Sequence, residues 1–197
     1  LMARTPAIQE LLAASLHPPL NSRGNGGAGA TPTSRIALGA MRDSELKEMP
    51  KLWLTALTHL LNEGDPELLV SAVSTVRSVP LPKDGTAELV AGLLKIARRS
   101  DLPAPLRLDS MASAPGGLAV VDPELFDFLR ANLGVDTPVA TRSAAASVLA
   151  RAKLATAQLE SLTDSLKDAG PLELGRLLEA FEQSADETVG RKLVASL

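Results

Sequence analysis

The chain contains no cysteine and no tyrosine, a single tryptophan and three phenylalanines, so aromatic residues make up 2% of its 197 positions. Without cysteine there can be no disulfide, no thiol nucleophile, no thiolate metal site and no covalent c-type haem attachment within these residues. Few aromatic and β-branched residues outside Val and Thr argue against a sandwich or barrel. The longest run free of Asp, Glu, Lys and Arg is 12 residues, too short for a membrane-spanning helix of about 20. Basic residues show no concentration either. There are 20 of them against 23 acidic ones, for a net charge of −3, and the densest pair is Arg98-Arg99. Phosphate-backbone binding needs a local cationic excess, so nucleic acid is not expected as a partner.

Leucine and alanine are abundant, 66 residues together. With that composition the expected class is all-α, and the length suffices for a core that needs no metal or disulfide. From residue 50 onward, leucines recur at helical spacing between Gly, Pro and Asp punctuation. Leu54, Leu57 and Leu61 mark one helix. Asp65-Pro66-Glu67 opens the next, with Leu69, Val73 and Val76 inward, since Asp caps orphan amides and Pro at the first position loses none. Asp122-Pro123-Glu124 repeats that start before Leu125, Phe128 and Leu129. Leu89, Leu93, Ile96 and Ala97 form a stripe between them, followed by a helix from Pro103 to Met111. Leu159, Leu162 and Leu166 precede Gly170, and Pro171 opens a helix with Leu174, Leu177, Leu178 and Phe181 on one face. Ser184-Ala185-Asp186-Glu187 has capping-box spacing before Val189, Leu193 and Leu197.

The expected organisation is two-part. Residues 1–49 form an amphipathic helix (Ile8, Leu11, Leu12, Leu16), a Gly/Pro/Thr-rich loop from Gly24 to Ser34 that supplies no core, and a lead-in helix from Ile36 to Glu48. Residues 50–197 carry repeated helix pairs. An opening Leu1-Met2-Ala3-Arg4 and a closing core-type leucine predict a piece of a longer polypeptide.

An Asp followed by an Arg recurs as Asp101–Arg107, Asp136–Arg142 and, one residue closer, Asp186–Arg191. Asp101 and Asp136 stand 35 apart and Asp136 and Asp186 stand 50 apart, which predicts stacked units of which one carries an insertion or an extra helix. Asp136-Thr137-Pro138-Val139-Ala140-Thr141-Arg142-Ser143-Ala144-Ala145 resembles the second helix of a HEAT repeat. That resemblance implies an α-solenoid in which the turn Asp and the helix Arg bridge neighbouring repeats, so Asp101, Asp136 and Asp186 are the expected acceptors of Arg107, Arg142 and Arg191. The same arginines could instead form a cationic stripe for an acidic peptide or phosphate. Pro115-Gly116-Gly117 through Asp122 to Leu129, and Gly170 to Glu182, resemble the HEAT segment of large bacterial putative membrane-bound dehydrogenases. There a propeller domain precedes the helical part and a cytochrome c domain follows it. This narrower resemblance implies an extracytoplasmic parent protein in which the chain acts as a spacer.

Other candidate chemistry is weaker. Gly24-Asn25-Gly26-Gly27-Ala28-Gly29 matches a dinucleotide fingerprint in letters, but no strand precedes it and Pro32 follows. His17 and His59 have no metal-ligand neighbour at helical spacing. Glu63, Asp65 and Glu67 lack calcium-loop spacing and read as helix capping. No Gly-x-Ser-x-Gly elbow occurs. Trp53 reads as core. The expectation is a protein without catalytic residue, cofactor or metal, binding a protein or neighbouring domains of its own parent chain. An enzyme on a HEAT-like scaffold, such as a DNA glycosylase, fits poorly because it needs a basic, aromatic-rich concave face.

Overall fold

The computed structural model describes residues 5–16, 31–63, 66–167 and 169–197. Among them the chain is all-α, with eleven α-helices and no strand. The helices are α1 (Pro6–Ala14), α2 (Pro32–Arg42), α3 (Lys51–Glu63), α4 (Pro66–Ser78), α5 (Ala87–Arg98), α6 (Ala104–Ala112), α7 (Pro123–Ala131), α8 (Val139–Arg151), α9 (Thr156–Leu166), α10 (Pro171–Glu179) and α11 (Glu187–Ser196). A 3-10 turn, Ala180–Gln183, continues α10. The chain divides into two compact units, Leu1–Ile96 and Ala97–Leu197, with the division inside α5. Residues 31–49 therefore belong with the helices that follow them.

Proline sets several helix starts. It occupies the first position of α1, α2, α4, α7 and α10, where its fixed φ suits the helix and its missing N–H is no loss. Side chains cap two of these same helices, α7 and α2. Asp122 accepts from the Leu125 amide at 2.9 Å, and Thr31 accepts from the Ser34 amide at 3.1 Å. The second cap corrects the expected start at Ile36. The helix begins at Pro32 inside the stretch read as loop, Ser34 is buried, Ile36 is 71% exposed, and the helix ends at Arg42. The capping box at Ser184 is also corrected. Asp186 is the cap, its Oδ1 accepting from the Thr188 and Val189 amides, because Ser184 lies two residues too far upstream to reach them; it accepts from the Asp186 amide instead.

The amide bond to Asp122, and then the Arg98 guanidinium beside it, hold the Asp122 carboxyl below the usual carboxylate range. A depressed folded-state pKa stabilises the fold above the unfolded value, about 3.9, and that contribution is lost as pH falls through the folded value. Asp122→Ala is therefore expected to cost about 1 kcal/mol at pH 7. Urea unfolding should show the difference from wild type shrinking at pH 3. A difference that does not change with pH would refute the ionised cap.

Packing follows one rule in each unit. In the first, α1 lies on α3 and α2 on α4, with α3 also against α4. In the second, α6, α8 and α10 pack in series, as do α7, α9 and α11, and α7 also touches α8. In these sets a helix rests on the helix two ahead. Leu57, Leu61, Leu69, Val73 and Val76 are buried in the first unit, and Leu125, Leu129, Leu159, Leu162 and Leu177 in the second. Phe126 is buried where the periodicity pointed to Phe128, which is half-buried, and Leu197 is exposed. The run Ala144-Ala145-Ala146 fits α8's position between α6 and α10, where small side chains let helices approach on two sides.

Helix C-terminal carbonyls are closed by donors from later elements. Lys95 Nζ donates to Asn62 O at the end of α3 (3.0 Å), Arg151 Nη2 to Ala112 O at the end of α6 (2.9 Å) and Gln183 Nε2 to Ala152 O after α8 (3.0 Å). These groups have no acceptor role left inside their own helix, so an outside donor satisfies them. Gly117, at φ +83°, brings the α6–α7 connection against the end of α8. A Cβ there would lie 2.1 Å from Arg151 O, so both the left-handed backbone and the close approach require glycine.

Candidate functional site

The six residues of the expected Asp–Arg ladder do not pair with one another. Arg107 is buried on α6. Its Nε donates to Ala97 O at 2.7 Å, and its guanidinium lies 3.7 Å over the Phe128 ring. Desolvation lowers its pKa, opposed by the charge of Glu124. Asp101 is held by Arg99 instead, with Nη2 to Oδ2 at 2.7 Å and Nε to Oδ1 at 3.2 Å. That bond is also what keeps the exposed Asp101 carboxyl below its ordinary range and raises Arg99. Arg142 Nη1 passes exposed Asp136 and donates to Val135 O at 2.9 Å. Asp186 caps α11, and Arg191 makes a loose i,i+4 pair with Glu187 at 4.0 Å.

The physical reason is twofold. Backbone carbonyls without an N–H partner, at a helix end for Ala97 O and in the α7–α8 connection for Val135 O, are acceptors that an arginine reaches as readily as a carboxylate. The third pair moreover belongs to the other series of helices. Asp186 and Arg191 bracket α11, in the series α7–α9–α11, whereas Arg107 and Arg142 lie in the series α6–α8–α10. The spacing of 50 holds three helices, α8, α9 and α10, where the spacing of 35 holds two, α6 and α7; of the two expected alternatives it is the extra helix, and it carries the third pair into the other series.

The buried charge that sequence reasoning missed is Glu173. It sits at the third position of α10, is 2% exposed, and its Oε1 lies 4.0 Å from Arg142 Nε. The Arg142 side chain is 17% exposed. Both facing atoms are buried without a hydrogen-bond partner. A Cβ on Gly170 would stand 2.5 Å from Glu173 Oε2, so the carboxylate folds back over the helix start, where the macrodipole favours negative charge. The signal was present in the sequence: a Glu three residues after a helix-opening Gly170-Pro171 is the position from which acidic side chains turn back. Around this pair, Val135, Val139 and Leu172 are exposed apolar residues at the N-terminal ends of α8 and α10.

Other candidates resolve into structure. Trp53 is fully buried and donates from Nε1 to Gln9 O at 3.0 Å. His59 Nε2 faces Glu63 at 3.2 Å, and Glu67 is bonded to Arg35. His17, the Gly24–Gly29 stretch and Asp65 lie outside the described residues. Among the described residues no group of three His, Cys, Asp or Glu is placed to hold a metal ion, and no helix is long and apolar enough to cross a membrane. Comparison with protein-family models, with curated proteins and with solved structures gives no match to this chain.

Proposed function

We propose that the chain is a non-catalytic protein-interaction or spacer module built as a HEAT-like α-solenoid, and that it forms part of a larger polypeptide. The observation that carries this reading is the packing of helices on the helix two ahead, α1 on α3 and α2 on α4 in the first unit and α6–α8–α10 and α7–α9–α11 in the second. Stacked helix pairs of that kind offer extended surface in place of a single deep pocket. The exposed Val135, Val139 and Leu172 beside Arg142 mark the edge of the second unit best suited to a protein partner, since apolar side chains around an arginine are the composition that interfaces favour.

A photo-crosslinking residue at position 172, compared with one at exposed Glu88, tests the reading in the native host. The expected result is a discrete adduct from position 172 that Val139→Asp abolishes and that position 88 does not give. Equal or absent adducts at both positions would overturn it.

A further inference from the structure

We propose that Arg151 and Arg176 form an oxyanion site on the α8–α10 seam, and that its ligand is a phosphate monoester. The two guanidinium groups come from successive helices of one series and converge on a single residue, Ser147. Arg176 Nη1 is hydrogen-bonded to Ser147 Oγ. Arg151 Nε points to Ser147 O at 3.4 Å while its Nη2 reaches Ala112 O at 2.9 Å. The hydroxyl itself is held by donating to Ser143 O at 2.7 Å. Ser147 is half-buried and both arginines are exposed, so the cluster is anchored on one side and open to water on the other.

Most other described arginines have a ring or a carboxylate to face: Arg107 and Arg130 lie over the Phe128 and Phe126 rings. Arg35, Arg42, Arg98, Arg99, Arg142 and Arg191 each face a carboxylate within 4.0 Å. Arg151 and Arg176 face none among the described residues, and Glu173, the buried acid of the same helix pair, faces Arg142. A guanidinium carries five N–H donors. Arg151 directs two of them at protein carbonyls and Arg176 one at the hydroxyl, leaving both forks with donors that have no acceptor among the described residues. Two positive charges and two forks match a dianion with three terminal oxygens better than a carboxylate, which has one charge and two oxygens.

The backbone under the site is fixed as well. The Gly117 turn closes on Arg151 O, and Lys153 N donates to Leu118 O at 2.8 Å. The backbone that carries Arg151 is thereby fixed before any ligand arrives, which lowers the ordering cost of binding. None of this depends on the solenoid reading, because every contact lies within α6, α8, α10 and the α6–α7 connection.

The test is a titration of the ¹⁵N-labelled chain with inorganic phosphate and with phenyl phosphate at constant ionic strength, following arginine Nε–Hε resonances. Both probes should give saturable shifts at Arg151 and Arg176, with the exposed Arg191 as the control that does not saturate. Arg151→Gln and Arg176→Gln should each weaken binding at least about tenfold, the scale of a lost charge-assisted bond. Ser147→Ala should weaken it less, by freeing Arg176. Circular dichroism of each variant checks that the helices remain. Three outcomes would overturn the proposal: linear shifts equal to those of Arg191, saturation by acetate as tight as by phosphate, or binding unchanged in both glutamine variants.

Discussion

Glu173→Ala is expected to destabilise the chain by about 3 kcal/mol, the scale on which removing one partner of a buried ion pair acts. The loss of a carboxylate at a helix start contributes only part of this. The larger share comes from Arg142, whose side chain is 17% exposed and whose Nε has no hydrogen-bond partner. With the acid gone, that cation keeps its bond to Val135 O but loses the only opposing charge within 4.0 Å among the described residues. Arg142→Ala should cost a similar amount, because it leaves a carboxylate buried beside Gly170. The double replacement Arg142→Leu/Glu173→Leu should return to within about 1 kcal/mol of wild type, since the pair's poor hydrogen-bond geometry repays little of its desolvation. Urea unfolding of the four proteins yields the coupling directly. A Glu173→Ala loss below about 1 kcal/mol would mean the pair is solvated.

Trp53→Ala should cost still more, about 3–5 kcal/mol, through the cavity left by a large, fully buried side chain. Trp53 also ties α1 to α3 through its bond to Gln9 O. Trp53→Phe separates the two contributions: it keeps most of the apolar packing and removes the indole donor, so its cost should be well under half that of alanine. Denaturant unfolding followed by circular dichroism measures both. Equal losses for the two variants would show that the hydrogen bond, not the packing, dominates at this position.

Most helices were legible because their burial is periodic. Leu57, Leu61, Leu69, Val73, Leu159 and Leu162 are buried as their spacing predicts. What hid α2 was composition: Thr31 and Pro32, a cap and a first-turn proline, stand at the end of a Gly-rich stretch and read as loop. The ladder failed for a different reason. Sequence spacing can bring an arginine to the right height on a helix, but it does not say whether the acceptor there is a carboxylate or a backbone carbonyl. At Arg107 and Arg142 it is a carbonyl. The step from Asp136 to Asp186 spans three helices where that from Asp101 to Asp136 spans two, so counting aspartates passed from one helix series to the other. Glu173 was passed over because the leucines beside it carry the apolar period while the glutamate turns inward.

The absence of native cysteine makes the helical stack directly measurable. Single cysteines at Pro105, Ala140 and Leu172 occupy the second position of α6, α8 and α10, and all three sites are exposed. Pulsed electron–electron distances between nitroxide labels at these positions test whether the three helices lie in series. The account predicts a 105–172 distance well beyond both the 105–140 and 140–172 distances and close to their sum, given about 8–10 Å between packed axes. Three similar distances would mean a closed bundle with α6 against α10, and would contradict it.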